Sequence, residues 1–196
     1  MNKIGLKTII IIFFVLQTVT ILGMLKQGNS EYVSDVAFTT VLITLSIIFG
    51  WKYIINTNTY GVVLVFITLV CHSLFGEYIG LYNTSSIFDK ILHFFGTYSF
   101  TYYSYLLIKQ IFTKGSVSKS REFIFIAAMG MALGALFEIF EFLLDIVLTP
   151  KIPYQSSLMD TDLDLICDFF GAIIASLHLN SSLVTQCLTV IKGSHR

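Results

Sequence analysis

The run from Phe123 to Leu148 most constrains the chain. It is longer than the ~20 residues that carry a helix across a ~30 Å hydrocarbon core, yet it holds Glu138, Glu141 and Asp145. Steps of three and four put those acids on one helical face. Gly134 lies one turn before Glu138, leaving a smooth patch beside the acids. An acid near the bilayer centre costs roughly 2.5–3.5 kcal/mol on the insertion scale. Three in one span require partners, so the chain is expected to fold as transmembrane helices meeting around a polar site.

Composition agrees. Of 196 residues, 55% are hydrophobic and 12% charged, and the mean hydropathy is +0.80, outside the range of ordinary soluble domains. The lipid bilayer is the implied partner. Net charge is zero and no basic patch carries interleaved aromatics, so no nucleic-acid partner is expected. Cys71, Cys167 and Cys187 fall in apolar segments without CxxC spacing and read as buried thiols rather than a disulfide or a thiolate metal site.

The fold class predicted is all-α, a polytopic bundle forming one integral membrane domain over 1–196. Its spans are expected at 8–25, 35–55, 60–82, 88–112, 123–148 and 162–179. Lys3 and Lys7 precede the first run as in a signal peptide, but no small-x-small site follows, so a first span is expected instead. Asn56-Thr57-Asn58 and Asn83–Ser86 read as turns, and Thr113–Arg121 as a basic loop. Pro150 and Pro153 end the fifth span, opening a loop over Thr149–Met159.

With both termini cytoplasmic, nine of the twelve basic residues fall inside and only Lys26, Lys90 and Lys151 outside, satisfying the positive-inside rule. Eleven of the twelve acids then lie outward, leaving Glu122 inside. Glu31 and Asp35 are assigned to the first outer loop, and the first two spans read as almost free of buried ionisable groups. Acids from spans three to six converge on one membrane level.

At that level Asp89 and His93 are four apart, with Gly96 and Thr97 continuing their face. Asp164 and Asp168 are also four apart, followed by Gly171, Ala172 and Ala175. Small residues allow close helix approach in lipid, so spans four, five and six are expected to pack through these stripes. Carboxylates suit magnesium, calcium or manganese, and an added imidazole extends the choice to iron or zinc. Helical bundles build carboxylate metal sites from such pairs. The candidate ligands of a divalent cation are Asp89, His93, Glu138, Glu141, Asp164 and Asp168.

Two other uses compete. The acids would share protons along a path or as an acid–base pair, or pair with Lys90, His93 or Lys151 as a structural network. Asp160 and Asp162 read as solvated charges. Glu77, near a helix end, divides between snorkelling and site membership, and His72 reads as a hydrogen-bonded core histidine. His178 and His195 fall on the cytoplasmic side. Tyr98 and Tyr102 are deep enough to need hydrogen-bond partners. No GxSxG, P-loop, HExxH or dinucleotide fingerprint is present, and Ser85-Ser86 and Ser156-Ser157 have no local base.

Three motifs together resemble a known family. FDKILHFFG (Phe88 to Gly96), GALFEIFEF (Gly134 to Phe142) and DTDLDLICDFFGA (Asp160 to Ala172) are similar, in order and spacing, to the YjdF-type bacterial inner-membrane proteins. His72 followed by Gly76 resembles an upstream histidine-glycine element of that family. The similarity covers roughly residues 60–175. More distantly, the same order of motifs is similar to the VanZ-like proteins linked to glycopeptide-antibiotic tolerance. The chain departs from them in having Glu141 where they tend to carry glutamine and Asp168 where they carry asparagine.

The resemblance implies a multi-pass protein of the bacterial inner (plasma) membrane and supports the key positions without implying a reaction. The residues themselves suggest a carboxylate–histidine site near the extracytoplasmic face, where a divalent cation acts on a lipid-linked or envelope substrate. The alternative is a non-enzymatic transporter or envelope-stress protein using the acids for ion or proton coupling. A hydrolase is expected to show a groove at the outer leaflet, and a transporter needs access from both sides.

Overall fold

The computed structural model describes residues 3–28, 30–54, 59–112, 118–150 and 153–181. Among these residues the regular structure is entirely helical. Two long helices, α1 (Lys3–Gln27) and α2 (Ser30–Ile54), lead into α3 (Thr59–Val70), which continues as a π-helical segment, Cys71–Tyr78. A single turn, α4 (Leu81–Thr84), precedes α5 (Phe88–Phe112), α6 (Lys119–Leu148) and α7 (Leu158–Leu179). The turn expected at 56–58, and Lys114, Lys151, Cys187, Lys192, His195 and Arg196, lie outside the described residues.

Four of the helices are long and apolar enough to cross a membrane: α1, α2, α3 with its π segment, and α6. Their outer faces fit that solvent, with Ile11, Phe49, Ile124 and Val147 all exposed. Helices α5 and α7 are long too but more polar, and together they carry five of the twelve acids. They pack on each other more extensively than any other pair, and α6 lies against α7. The small-residue stripes do mediate this packing: Gly130 abuts Ala172 and Thr101, Gly134 abuts Asp168, and Gly171 abuts the Phe94 backbone.

Away from the acids, an apolar core joins α1, α2, α3 and α5 through Phe13, Ile43, Val65, Leu69 and Tyr103. Phe13 and Phe66 stack with ring centroids 4.3 Å apart. Tyr98 finds the partners its depth demands, hydrogen-bonding Tyr60 Oη (3.1 Å) and His178 Nδ1 (2.6 Å).

Two elements depart from the pattern expected. The third helix does not run evenly to Tyr82. It widens into the π segment, closes with Ile79 N–H donating to Leu74 O (3.0 Å), and ends at Gly80 with φ 83°. The wider turn brings His72, Ser73, Gly76 and Glu77 inward together, and such segments recur at functional sites. Ser73 donates to Gln17 of α1, and Gln17 Nε2 donates to Thr40 of α2 (3.2 Å), so a polar chain ties the three elements.

Helix α7 also starts earlier than 162. Ser157 Oγ accepts from Asp160 N–H (3.1 Å), and the Asp160 carboxylate accepts from Ser156 N–H (3.3 Å) and hydroxyl (2.8 Å). Ser157 thus satisfies one free donor of the first turn, and Asp160 ties down the residue before the cap. Ser157→Ala is expected to cost about 1 kcal/mol, read as a fall of about 2–4 °C in thermal midpoint.

Candidate functional site

Helices α5, α6 and α7 place their acids around one imidazole. His93 is 7% exposed, and each ring nitrogen faces two carboxyl groups. Nδ1 lies 3.4 Å from Asp168 Oδ1 and 3.6 Å from Glu138 Oε1. Nε2 lies 3.6 Å from Asp89 Oδ1 and 3.8 Å from Asp164 Oδ1. Asp89 is one turn before His93 on α5, while Asp164 and Asp168 are one turn apart on α7, so the two pairs sit at successive levels.

The two sides of the ring differ in charge. On the Nε2 side, Lys90 Nζ donates to Asp89 Oδ2 (3.0 Å), Asp160 Oδ1 (2.5 Å) and Asp164 Oδ2 (2.7 Å). Lys90 follows Asp89 directly and points elsewhere on the helix, but its long stem brings the ammonium back among the acids. On the Nδ1 side, no lysine or arginine among the described residues pairs with Glu138 or Asp168.

Neutral groups orient those two carboxylates instead. Thr97 Oγ1 donates to Asp168 Oδ1 (2.5 Å), and Gln155 Nε2 donates to Glu138 Oε2 (3.0 Å). Asp145 positions Gln155 from a distance by accepting from the N–H groups of Tyr154 (2.7 Å) and Gln155 (3.0 Å), which folds the loop after α6 back over the site. Two oxygens facing the ring, Glu138 Oε1 and Asp164 Oδ1, are buried without a hydrogen bond. Buried oxygens left so are rare, and a water or an ion between them and the ring would satisfy both.

Of the six ligands expected from sequence, the structure gathers five: Asp89, His93, Glu138, Asp164 and Asp168. Glu141 falls outside both groups around His93 and lines a neighbouring polar cavity of about 260 Å³. That cavity holds a second group of potential ligands, Asp35, His72 and Glu77. His72 Nε2 lies 3.0 Å from Asp35 Oδ2 and Nδ1 2.7 Å from Tyr82 Oη, so it is a hydrogen-bonded core histidine as the sequence suggested.

Asp35 corrects an expectation. It is 3% exposed within α2 rather than in a loop, so the second helix does carry a buried acid. Its one sequence signal was position, an aspartate opening an apolar helical run. Asp160, expected to be solvated, instead holds Lys90, whereas Asp162 is exposed as expected. In the sequence Thr97 is marked only as part of a small-residue face, and Gln155 sits in a loop with no pattern to mark it.

Tyr154, in the loop over this cavity, has a buried hydroxyl without a partner. Burial, aided by the Asp35 and Glu77 carboxylates, pushes its phenol well up.

A family model described as "Predicted membrane protein (DUF2238)" matches residues 7–183. A protein of Thermotoga maritima, with the printed name "Uncharacterized protein", is 38% identical over 107 residues. That match spans 51% of this chain and 51% of the relative, so about half of the relative's length is covered. No solved structure matches the chain.

Proposed function

The chain belongs to the DUF2238 family of predicted membrane proteins, the YjdF-type proteins, and on that premise we propose that His93, Glu138 and Asp168 bind a divalent cation at the extracytoplasmic face of a bacterial inner membrane. In this reading the chain crosses the membrane six times with both termini cytoplasmic. The observation that carries the proposal is Glu138 Oε1, buried beside His93 Nδ1 with no hydrogen bond.

The donor set and its spacing support it. Ligand atoms held at ~2.1 Å in a tetrahedral shell lie about 3.4 Å apart. The Nδ1 separations from Asp168 and Glu138 are 3.4 and 3.6 Å. A metal-bound histidine commonly gives its other N–H to a carboxylate, and Nε2 faces Asp89 and Asp164. Lys90 already supplies positive charge there, which favours the Nδ1 side for the cation. Gln155 holds Glu138 through its other oxygen, and Thr97 fixes Asp168 at Oδ1 itself.

Three protein ligands leave a position open for water or substrate, the pattern of catalytic rather than structural sites. A cation there would polarise a phosphoryl or carbonyl oxygen, or generate hydroxide near neutral pH. A lipid-linked or envelope substrate is the fitting target. In mild detergent the purified protein is expected to hold near-stoichiometric divalent metal, measured by elemental analysis. Glu138→Gln and Asp168→Asn should each lower it about tenfold or more. Metal-free wild type, with thermal stability unmoved by added divalent ions, would sink the proposal.

A further inference from the structure

Beside the His93 cluster lies an apolar cavity of about 500 Å³ between α2, α3, α5 and α6. Its polar end is formed by His93, Asp168 and His72, and Ser104, Leu133 and Phe100 line it farther along α5 and α6. Leu42 and Leu136 line it while remaining 49% and 60% exposed, so it opens sideways between α2 and α6. Phe38 and Phe140 stack across that opening, with centroids 4.8 Å apart and planes at 15°. Ligand sites commonly enclose about 300–1,000 Å³, and this one faces the surface expected to meet lipid tails.

The polar cavity adjoins it. His72, Tyr82, Phe137 and Phe140 line both and form the partition between them. Five carboxyl groups border the polar cavity, those of Asp35, Glu77, Asp89, Glu141 and Asp160, and His72 is the single basic side chain among its lining residues. Three are already engaged, Asp35 by His72 and Asp89 and Asp160 by Lys90. Glu77, only 7% exposed, accepts no hydrogen bond from any described residue, and the Tyr154 hydroxyl above it is buried and unpartnered. A buried carboxyl group facing a cavity without a donor calls for a cationic or donor-rich ligand.

We propose that the two cavities form one amphiphile site, in which a single alkyl chain of a membrane lipid enters between α2 and α6 and an ammonium-bearing head rests against Glu77, Glu141 and Tyr154. The shape sets the order of the parts. The tail lies in the apolar cavity past Phe38 and Phe140, the head sits in the acidic one, and the linkage between them passes His72 and His93. This deepens the cation-site reading by naming the substrate class, and rests on it only where the linkage is taken to reach the metal.

The test is native mass spectrometry of the protein released from detergent, titrated with palmitoyl lysophosphatidylethanolamine or palmitoyl lysophosphatidylglycerol. The two share a tail and differ in the ammonium. Wild type is expected to bind one ethanolamine lipid about tenfold more tightly than the glycerol lipid, and Glu77→Gln should abolish the difference. Ser104→Trp, which fills the apolar cavity, should weaken both lipids about tenfold. Leu133→Trp, from another wall, should do the same, and each variant is checked for helicity by circular dichroism.

Equal wild-type affinity for the two lipids would overturn the proposal, as would unaltered binding in both tryptophan variants. Repeating the titration on chelator-treated protein and on Glu138→Gln separates the two readings. Lipid retained without metal supports the amphiphile site even if the cation site fails. Metal present with no lipid selectivity overturns the amphiphile site alone.

Discussion

Lys90→Met is expected to destabilise the protein by about 3 kcal/mol, seen as a fall of about 6–12 °C in thermal midpoint in detergent. The ammonium is shared by Asp89, Asp160 and Asp164, and Asp164 is 3% exposed at its side chain. Removing one partner of a buried ion pair costs about 3–5 kcal/mol, because the remaining charge stays desolvated without compensation. The lower end applies because Lys90 keeps 17% side-chain exposure and Asp89 and Asp160 keep 24% and 23%. Adding Asp164→Leu to Lys90→Met should restore part of the loss, since the deepest unpaired acid goes with its partner. The double-mutant cycle would report a coupling above about 1 kcal/mol. The same variant divides the acids by role. If Lys90 neutralises the Nε2 side while the cation occupies the Nδ1 side, Lys90→Met keeps its metal as it melts earlier. A simple structural network would show the same melting with no metal in either protein.

This division was half legible in the sequence. Helical spacing inside apolar runs marks Asp89 with His93, Asp164 with Asp168, and Glu138 beside Gly134, because an acid in lipid needs a partner and i, i+4 neighbours share a face. The structure brings these five together. Spacing did not decide Glu141. A step of three turns the side chain some 60° off the Glu138 direction, and only the position of the π segment shows that it lines a second cavity. The π segment has no local signature, since Cys71–Tyr78 reads as an ordinary continuation of an apolar helix. Asp35 was missed for a related reason: its burial depends on His72, a partner 37 residues away. Lys90 was legible as a counter-ion but not as one shared among three acids, which requires α5 and α7 in register. The helices follow from composition, and the site follows from how two polar helices are pressed together.

That pressing makes the second large effect. Gly171→Ala is expected to cost about 3 kcal/mol, at the top of the range for overpacking. A Cβ at Gly171 would run into the main-chain carbonyl oxygen of Phe94 and lie 3.1 Å from the Tyr98 nitrogen. Backbone inside a helix cannot rotate aside as a side chain would, so α5 and α7 must separate. The alanine's helix propensity, worth about 1 kcal/mol over glycine, is too small to offset this. Gly96→Ala provides the control on α5. Its Cβ would meet only Thr68 Cγ2 at 3.4 Å, an ordinary contact, so the propensity gain should survive and leave stability unchanged or raised by about 0.5–1 kcal/mol. The consequence then reaches the site. Gly171 lies three residues beyond Asp168 on α7, and Phe94 directly follows His93 on α5, so the clash forces apart the two helices that hold the closest carboxylate approach to His93, 3.4 Å. Gly171→Ala should therefore lose metal as well as stability, while Gly96→Ala keeps both. Equal melting temperatures for the two variants would mean that the α5–α7 interface yields more readily than close packing allows.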